Sequence, residues 1–381
     1  MNIDTACVHG FKDKFNQVGS INVPIFQTVP YKHKQIGDLT EYGYTRLHNP
    51  TREAAETLVA TLENAVGSLA FTSGMAAATT LFQLFDSKDH IISTEDLYGG
   101  TITLLNKYTV EKNGVEIDFV NTGNISDIKA KIKPNTKAVF IETPTNPMMH
   151  VTDIAAVKAI MPKGALLIVD NTFLTPYFLQ PLGLGADIVL HSGTKYLAGH
   201  NDTLCGFLVF KDTDLLDTIK LIRTTFGAPL APMDSFLLIR GVKTLALRME
   251  RAQQNAMELA QWMTTHPKIK NVYYTGLPNH PGYDIMKKQA SGFGAMISFE
   301  VDTAETAHKV LLGAKIITFA ESLGGTETLL TYPMENTHGE VPEEERLARG
   351  INDRLLRLSV GIENIADLKS DLEQALTGIA I

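Results

Sequence analysis

From His191 to His200 the chain reads HSGTKYLAGH, a lysine among serine, threonine and glycine, directly after the apolar run Ala186–Leu190. That run has the length and composition of a buried strand. A lysine at a strand end is costly to bury unless its amine bonds to something. The aldehyde of pyridoxal 5'-phosphate would take that bond at Lys195 Nζ, leaving the Ser192 and Thr194 hydroxyls to hydrogen-bond the phosphate. The same stretch also reads as a surface lysine at a strand-to-loop junction. A second run, Ala165–Val169, ends in Asp170-Asn171-Thr172. Asp170 offers the carboxylate that a protonated pyridine nitrogen requires, and equally a turn former or a helix cap. A third element, Phe71-Thr-Ser-Gly-Met-Ala-Ala-Ala78, passes from a strand through glycine into helix formers. The amides of Gly74 and Met75 would there form an anion site at a helix start.

These residues need a scaffold that gathers strand ends. Short apolar runs at Ser68–Phe71, His90–Ser93, Val115–Val120, Lys137–Ile141, Ala165–Val169, Ala186–Leu190 and Leu204–Phe210 alternate with helix-length segments. This is the pattern of an α/β fold with a mostly parallel seven-stranded sheet, whose ligands collect at the carboxyl ends of the strands. A long helical pattern from Asp234 to about Thr264 then leads to strands near Asn271–Tyr274, Ala295–Phe299 and Ile316–Phe319, a smaller C-terminal α/β domain. Residues 1–45 carry prolines and glycines without sustained periodicity and read as an N-terminal arm of the kind that packs on a partner subunit. The expected division is an arm at 1–45, a large cofactor-binding domain at 46–240 and a C-terminal domain at 241–381.

A chain of 381 residues exceeds one ordinary domain. Its 34 basic and 42 acidic residues, for a formal charge of -8, include no basic run, so no nucleic-acid partner is expected. Cys7 and Cys205 stand apart without metal or redox spacing, which suits a reducing cytoplasm, and Cys205 reads as packing. His191 and His200 flank the lysine without a third ligand, so no metal is assigned. The start of the chain lacks a leader pattern and no apolar run reaches membrane-spanning length.

Read in order, Tyr44-Thr-Arg46, Ser73-Gly-Met75, Leu97-Tyr-Gly-Gly-Thr101, Glu142-Thr-Pro-Thr-Asn-Pro147, Val169-Asp-Asn-Thr-Phe173, Ser192-Gly-Thr-Lys-Tyr196 with Gly199-His-Asn-Asp202, Glu321-Ser-Leu-Gly-Gly325 and Arg357-Leu-Ser-Val-Gly361 span nearly the whole chain. The set resembles the pyridoxal-phosphate enzymes of cysteine and methionine metabolism. These include cystathionine γ-synthases, cystathionine β- and γ-lyases, methionine γ-lyases and O-acylhomoserine sulfhydrylases. Tyr31–Gly37, Leu330–Pro333, Thr337-His338 and Val341–Glu345 resemble most the bacterial γ-synthases that also accept sulfide.

The resemblance implies a fold-type I pyridoxal-phosphate transferase with Lys195 as the cofactor lysine. It places Tyr98 against the pyridine ring with its phenol near the substrate amine, Asn146 on the ring oxygen and Thr172 as a supporting hydroxyl. Tyr44 and Arg46 would reach the phosphate of a neighbouring subunit, so that two chains build each site in a homo-oligomer, a tetramer in most of the family. Arg357 would hold the substrate α-carboxylate with help from Ser322, and Glu321 a distal ammonium. Each residue has a plainer reading: a core aromatic at Tyr98, a turn asparagine at Asn146, a solvated arginine at Arg46, an internal ion pair with a glutamate at Arg357. Methionine γ-lyases typically differ at Glu321, where they carry an apolar residue, and at Gly100, where they carry a cysteine. His48 interrupts a pair that is small or polar in many members, and reads as an entrance residue or a surface histidine.

The expected activity is γ-replacement in transsulfuration and methionine biosynthesis, joining O-acylhomoserine and cysteine into cystathionine, with sulfide a further acceptor, in the cytoplasm. The same residues suit a lyase cleaving cystathionine to a 2-oxo acid and ammonia, with shaping around Tyr98, Glu321 and Tyr332 separating the directions. A non-enzymatic pyridoxal-sensing regulator would need a DNA-binding segment for which the chain has no spare residues.

Overall fold

The computed structural model describes residues 1–11, 18–37, 41–336, 339 and 342–378. The expected family segments at Thr337-His338 and Val341 therefore lie outside the described residues. Strands β1 (Gly67–Phe71), β2 (His90–Thr94), β3 (Glu116–Val120), β4 (Thr136–Glu142), β5 (Leu166–Asp170), β6 (Ile188–Ser192) and β7 (Gly206–Phe210) form one sheet in the order β1-β7-β6-β5-β4-β2-β3. Strands β2 to β6 pair in parallel, and β7 runs antiparallel to both neighbours, β6 and β1. Helices cover both faces, which explains why β2, β6 and β7 are buried almost throughout rather than at alternate positions.

The second sheet contains β8 (Ile269–Tyr273), β9 (Met296–Val301), β10 (Thr318–Phe319), β11 (Leu329–Thr331) and β12 (Leu355–Ser359), in the order β10-β11-β12-β9-β8. Its β8, β9, β11 and β12 pair antiparallel, with only β10 parallel to β11. Helices Ala304–Gly313 and Ile365–Thr377 pack on each other and join the same core as β9 and β12. We keep the division at residues 45 and 240 as a proposal.

Two local expectations change. The arm, expected without periodic structure, begins with a helix, Ile3–His9, which Asn2 caps by accepting from the Asp4 amide at 2.9 Å and which buries Ala6 and Cys7. The helical pattern from Asp234 to Thr264 divides into Pro232–Val242 and Leu245–Met263. The break falls at Gly241, a weak helix former, whose carbonyl closes a tight turn with the Thr244 amide at 3.1 Å and is held by Arg248. Its buried guanidinium donates to Gly241 O at 2.9 Å, taking that carbonyl out of the helical ladder, and to Tyr196 O at 2.7 Å and Leu197 O at 3.3 Å.

Candidate active site

Strands β4, β5 and β6 end side by side. Glu142 stands opposite Asp170, and Asp170 opposite Leu190, in the two ladders. Over these ends lies a cavity of about 170 Å³, lined by Ser73, Gly74, Met75, Tyr98, Glu142, Asn146, Asp170, Thr172, Ser192, Thr194 and Lys195 among others. Every cofactor-site residue expected from the sequence lines it except Tyr44 and Arg46.

The turn after β1 behaves as the glycine pattern predicts. Ser73 caps helix Gly74–Phe82 by accepting from the Ala76 amide at 3.0 Å, and the amides of Gly74 and Met75 in the first turn have no partner among the described residues. This turn reaches its place because β7 presents no side chain there. A Cβ on Gly206 would stand 2.2 Å from Ser73 O and 2.7 Å from Gly74 Cα.

Asp170 accepts at Oδ1 from the Thr172 amide at 3.0 Å and the Thr172 hydroxyl at 2.6 Å. Its Oδ2 has no hydrogen bond among the described residues. Burial raises the proton affinity of this carboxyl above the usual carboxylate range, the condition of an acid that waits for a cationic partner. Thr172 thus acts on the aspartate more than on a ring directly, and its Oγ1 also accepts from the Ser192 amide at 2.9 Å. Thr194 donates its hydroxyl proton to Cys205 O at 3.1 Å, so holding a phosphate through that proton requires the hydroxyl to turn.

Lys195 Nζ donates to Ser322 Oγ at 2.9 Å. Burial, and then the charge of Arg357, lower the amine from 10.5 to about 8, so a neutral, nucleophilic fraction exists near neutral pH. Ser322 is held at φ 85°, a left-handed conformation uncommon for serine. That turn sends its hydroxyl to Lys195 and its carbonyl to Arg357 Nη2 at 3.0 Å.

Arg357, on β12, is buried. Its Nη1 donates to Asn146 Oδ1 at 2.8 Å and its Nη2 also meets Thr331 Oγ1 at 3.2 Å, while Nε is buried without a partner. All three partners are neutral, and Arg357 joins no ion pair among the described residues, which removes the plainer reading of an internal pair with a glutamate. A buried guanidinium without a carboxylate is a receptor for one. Asn146, with its oxygen on Arg357, keeps its Nδ2 for a second acceptor.

Tyr98 is 47% exposed and stands over both the inner cavity and an outer one of about 1240 Å³. The core-aromatic reading therefore fails. A Cβ on Gly100 would lie 2.6 Å from Tyr98 Cε1, so any larger residue at Gly100 displaces that ring. The outer cavity adds Glu321, Ser322, Arg357, Glu335 and Glu345.

Other candidates lie elsewhere. Arg46 Nη1 donates to Thr224 O at 2.9 Å and its guanidinium stands 5.7 Å from the Tyr44 ring centre; neither residue lines the cavities of its own chain. His48 meets Glu53 at 3.2 Å beside Arg52, away from the cavity mouth of its own chain. Tyr332 is buried with its hydroxyl on Asp353 O at 3.0 Å and lines neither cavity, so it does not shape the substrate site directly. Two residues escaped sequence reading. Glu142 was visible only as the first letter of a motif, and Arg248 as one charge on an amphipathic helix.

The family model described as Cys/Met metabolism PLP-dependent enzyme matches residues 4–377. The chain belongs to this family. The cystathionine γ-lyase of Bacillus subtilis is 46% identical across 100% of both chains. The cystathionine β-lyase of Lactococcus lactis subsp. cremoris is 46% identical, covering 98% of this chain and 99% of its own. The cystathionine γ-synthase of Haemophilus influenzae is again 46% identical, covering 99% and 98%. Among solved structures, a cystathionine γ-lyase from Lactobacillus plantarum complexed with L-serine superposes with a TM-score of 0.97 at 43% identity, covering 100% of this chain and 99% of that one. This member of the Cys/Met metabolism family is thus a pyridoxal-phosphate-dependent enzyme with the fold-type I architecture, of the cystathionine synthase and lyase group. Among the described residues no helix is long and apolar enough to cross a membrane.

The residues present fit the cofactor. A lysine amine lowered to about 8, and an aspartate oxygen and two helix-start amides without a partner among the described residues, converge on one cavity.

Proposed function

We propose that the enzyme joins O-acylhomoserine and cysteine into cystathionine by γ-replacement. The observation that carries this reading is the Lys195–Ser322–Arg357 bridge lining the outer cavity, which places an amine base and a carboxylate receptor on one serine. Pyridoxal phosphate, when bound, supplies the electron sink that makes the substrate α-proton removable. Asp170 would hold its ring nitrogen, Asn146 Nδ2 its ring oxygen and Tyr98 one face. The amides of Gly74 and Met75, the hydroxyls of Ser192 and Thr194, and Tyr44 and Arg46 of a second copy of the chain would hold its phosphate.

Arg357 grips the α-carboxylate of O-acylhomoserine bidentately. The free Lys195 amine would take the α-proton, hand it on, and then take the β-proton, with deprotonated Tyr98 accepting the proton of the substrate amine. Departure of the acyloxy group opens the γ-carbon to the cysteine thiolate, or to sulfide. Glu321 receives the ammonium of the incoming cysteine.

A lyase is the second reading, favoured by the equal 46% identity to the γ-lyase, the β-lyase and the γ-synthase. Mass spectrometry of products separates the two, with either O-acetylhomoserine plus cysteine or cystathionine alone as substrate. Cystathionine accumulating in the first reaction with little loss in the second supports the synthase. Rapid loss in the second overturns it, and pyruvate against 2-oxobutanoate tells which carbon is cut.

A further inference from the structure

Glu142 closes β4 and has no part in the reaction above. It is buried, yet its two oxygens accept from two separate segments: Oε2 from the Tyr98 amide at 3.1 Å and Oε1 from the Asn146 amide at 3.0 Å. One segment carries the ring that stands over the cofactor cavity. The other carries the side chain that meets Arg357 Nη1.

A carboxylate is a costly choice for this place. Burial, and then the charge of Asp170 beside it, push the proton affinity of Glu142 well above the usual range. An apolar side chain would avoid that cost but leave two N–H groups without an acceptor. Asp96, two residues before Tyr98, also ties this segment to the loop, accepting from Thr145 Oγ1 at 2.5 Å and the Met148 amide at 3.3 Å, but its bonds end beside Asn146 and not on it. Among the described residues, Glu142 is the side chain that accepts from the Tyr98 and Asn146 amides themselves.

We propose that Glu142 is a positioning residue that fixes the Tyr98 ring and the Asn146–Arg357 pair relative to each other, coupling the cofactor's seat to recognition of the amino-acid carboxylate. The proposal rests on the roles given above to Tyr98, Asn146 and Arg357. Its consequence is that one change at Glu142 disturbs both partners, although Glu142 touches neither side chain's working end.

The test is Glu142→Gln in the pyridoxal-loaded enzyme. The amide keeps the volume but has one accepting end, so one of the two backbone donors loses its partner. We expect an altered visible circular dichroism of the bound cofactor, weaker pyridoxal phosphate binding, and a KM for the amino-acid substrate raised about tenfold or more. A variant with wild-type dichroism, cofactor affinity and KM overturns the proposal, as does one that differs only in thermal stability. If Glu142→Gln does not fold, Glu142→Asp decides by the same readouts, since a carboxylate shorter by one methylene reaches at most one amide. Insolubility of both would make Glu142 a folding residue and also overturn the proposal. Tyr98→Phe and Arg357→Lys serve as controls: if these leave dichroism and KM unchanged, the underlying site reading fails, not the role of Glu142.

Discussion

Replacing Lys195 by methionine in the cofactor-free protein isolates the cost of the buried amine. Methionine keeps an unbranched stem of similar volume and removes only the charge and its hydrogen bond. In the folded chain the amine titrates at about 8 instead of 10.5. Below about pH 8 folded and unfolded chains both carry the proton, and the penalty of burying it is complete. Between about pH 8 and 10.5 the unfolded chain binds more protons, so stability rises with pH, by up to about 1.4 kcal/mol per pH unit, until the penalty is gone. Over that interval the penalty amounts to roughly 3 kcal/mol, of which loss of the bond to Ser322 returns about 1 kcal/mol. Lys195→Met should therefore be more stable than wild type by roughly 2 kcal/mol at pH 7, with the advantage shrinking and reversing as pH approaches 10. Denaturant unfolding of both proteins at a series of pH values, at one protein concentration because association adds to stability, measures the difference. Titrating groups remote from Lys195 are common to both and cancel. A difference that stays constant from pH 7 to 10, or a less stable variant at pH 7, would refute the reasoning.

Three further outcomes follow from the same geometry. Arg357→Lys keeps the charge but loses the planar fork, and should raise KM for amino-acid substrates about 10- to 100-fold with a smaller effect on kcat, read by steady-state kinetics. An Arg46→Ala chain mixed with a Lys195→Ala chain should recover about a quarter of wild-type activity through heterodimers with one intact site each; no recovery in proven heterodimers means the sites are self-contained. Gly206→Ala drives a methyl group into the Ser73 carbonyl and should cost about 1–3 kcal/mol in unfolding experiments while weakening pyridoxal phosphate binding, because the turn that offers the Gly74 and Met75 amides must move.

Much of the inner cavity was legible in the chain before any coordinates. Lys195, Asp170 and the Ser73–Met75 turn each lie at the end of a short apolar run, and in a parallel sheet run ends and site residues coincide. Strand positions came from periodicity and composition, both of which are local. What was not legible depended on partners far along the chain. Residues around Asn2 gave no sustained pattern because one cap and two buried side chains suffice for a helix packed on helix Pro50–Leu62. The break after Val242 falls at Gly241, a weak helix former, and its place is fixed by the distant Arg248 side chain that holds the Gly241 carbonyl.

The sequence by itself determined the residue types, their order and the strand ends at which they sit, because backbone propensity and side-chain alternation act over a few residues. Only the tertiary structure decided that Arg357 faces Asn146 and no carboxylate, that Tyr332 turns away from the cavity, and that Glu142 ties two walls together. Those facts rest on hydrogen bonds between distant segments. Such bonds are selected by the whole packing of two sheets, and no local pattern records them.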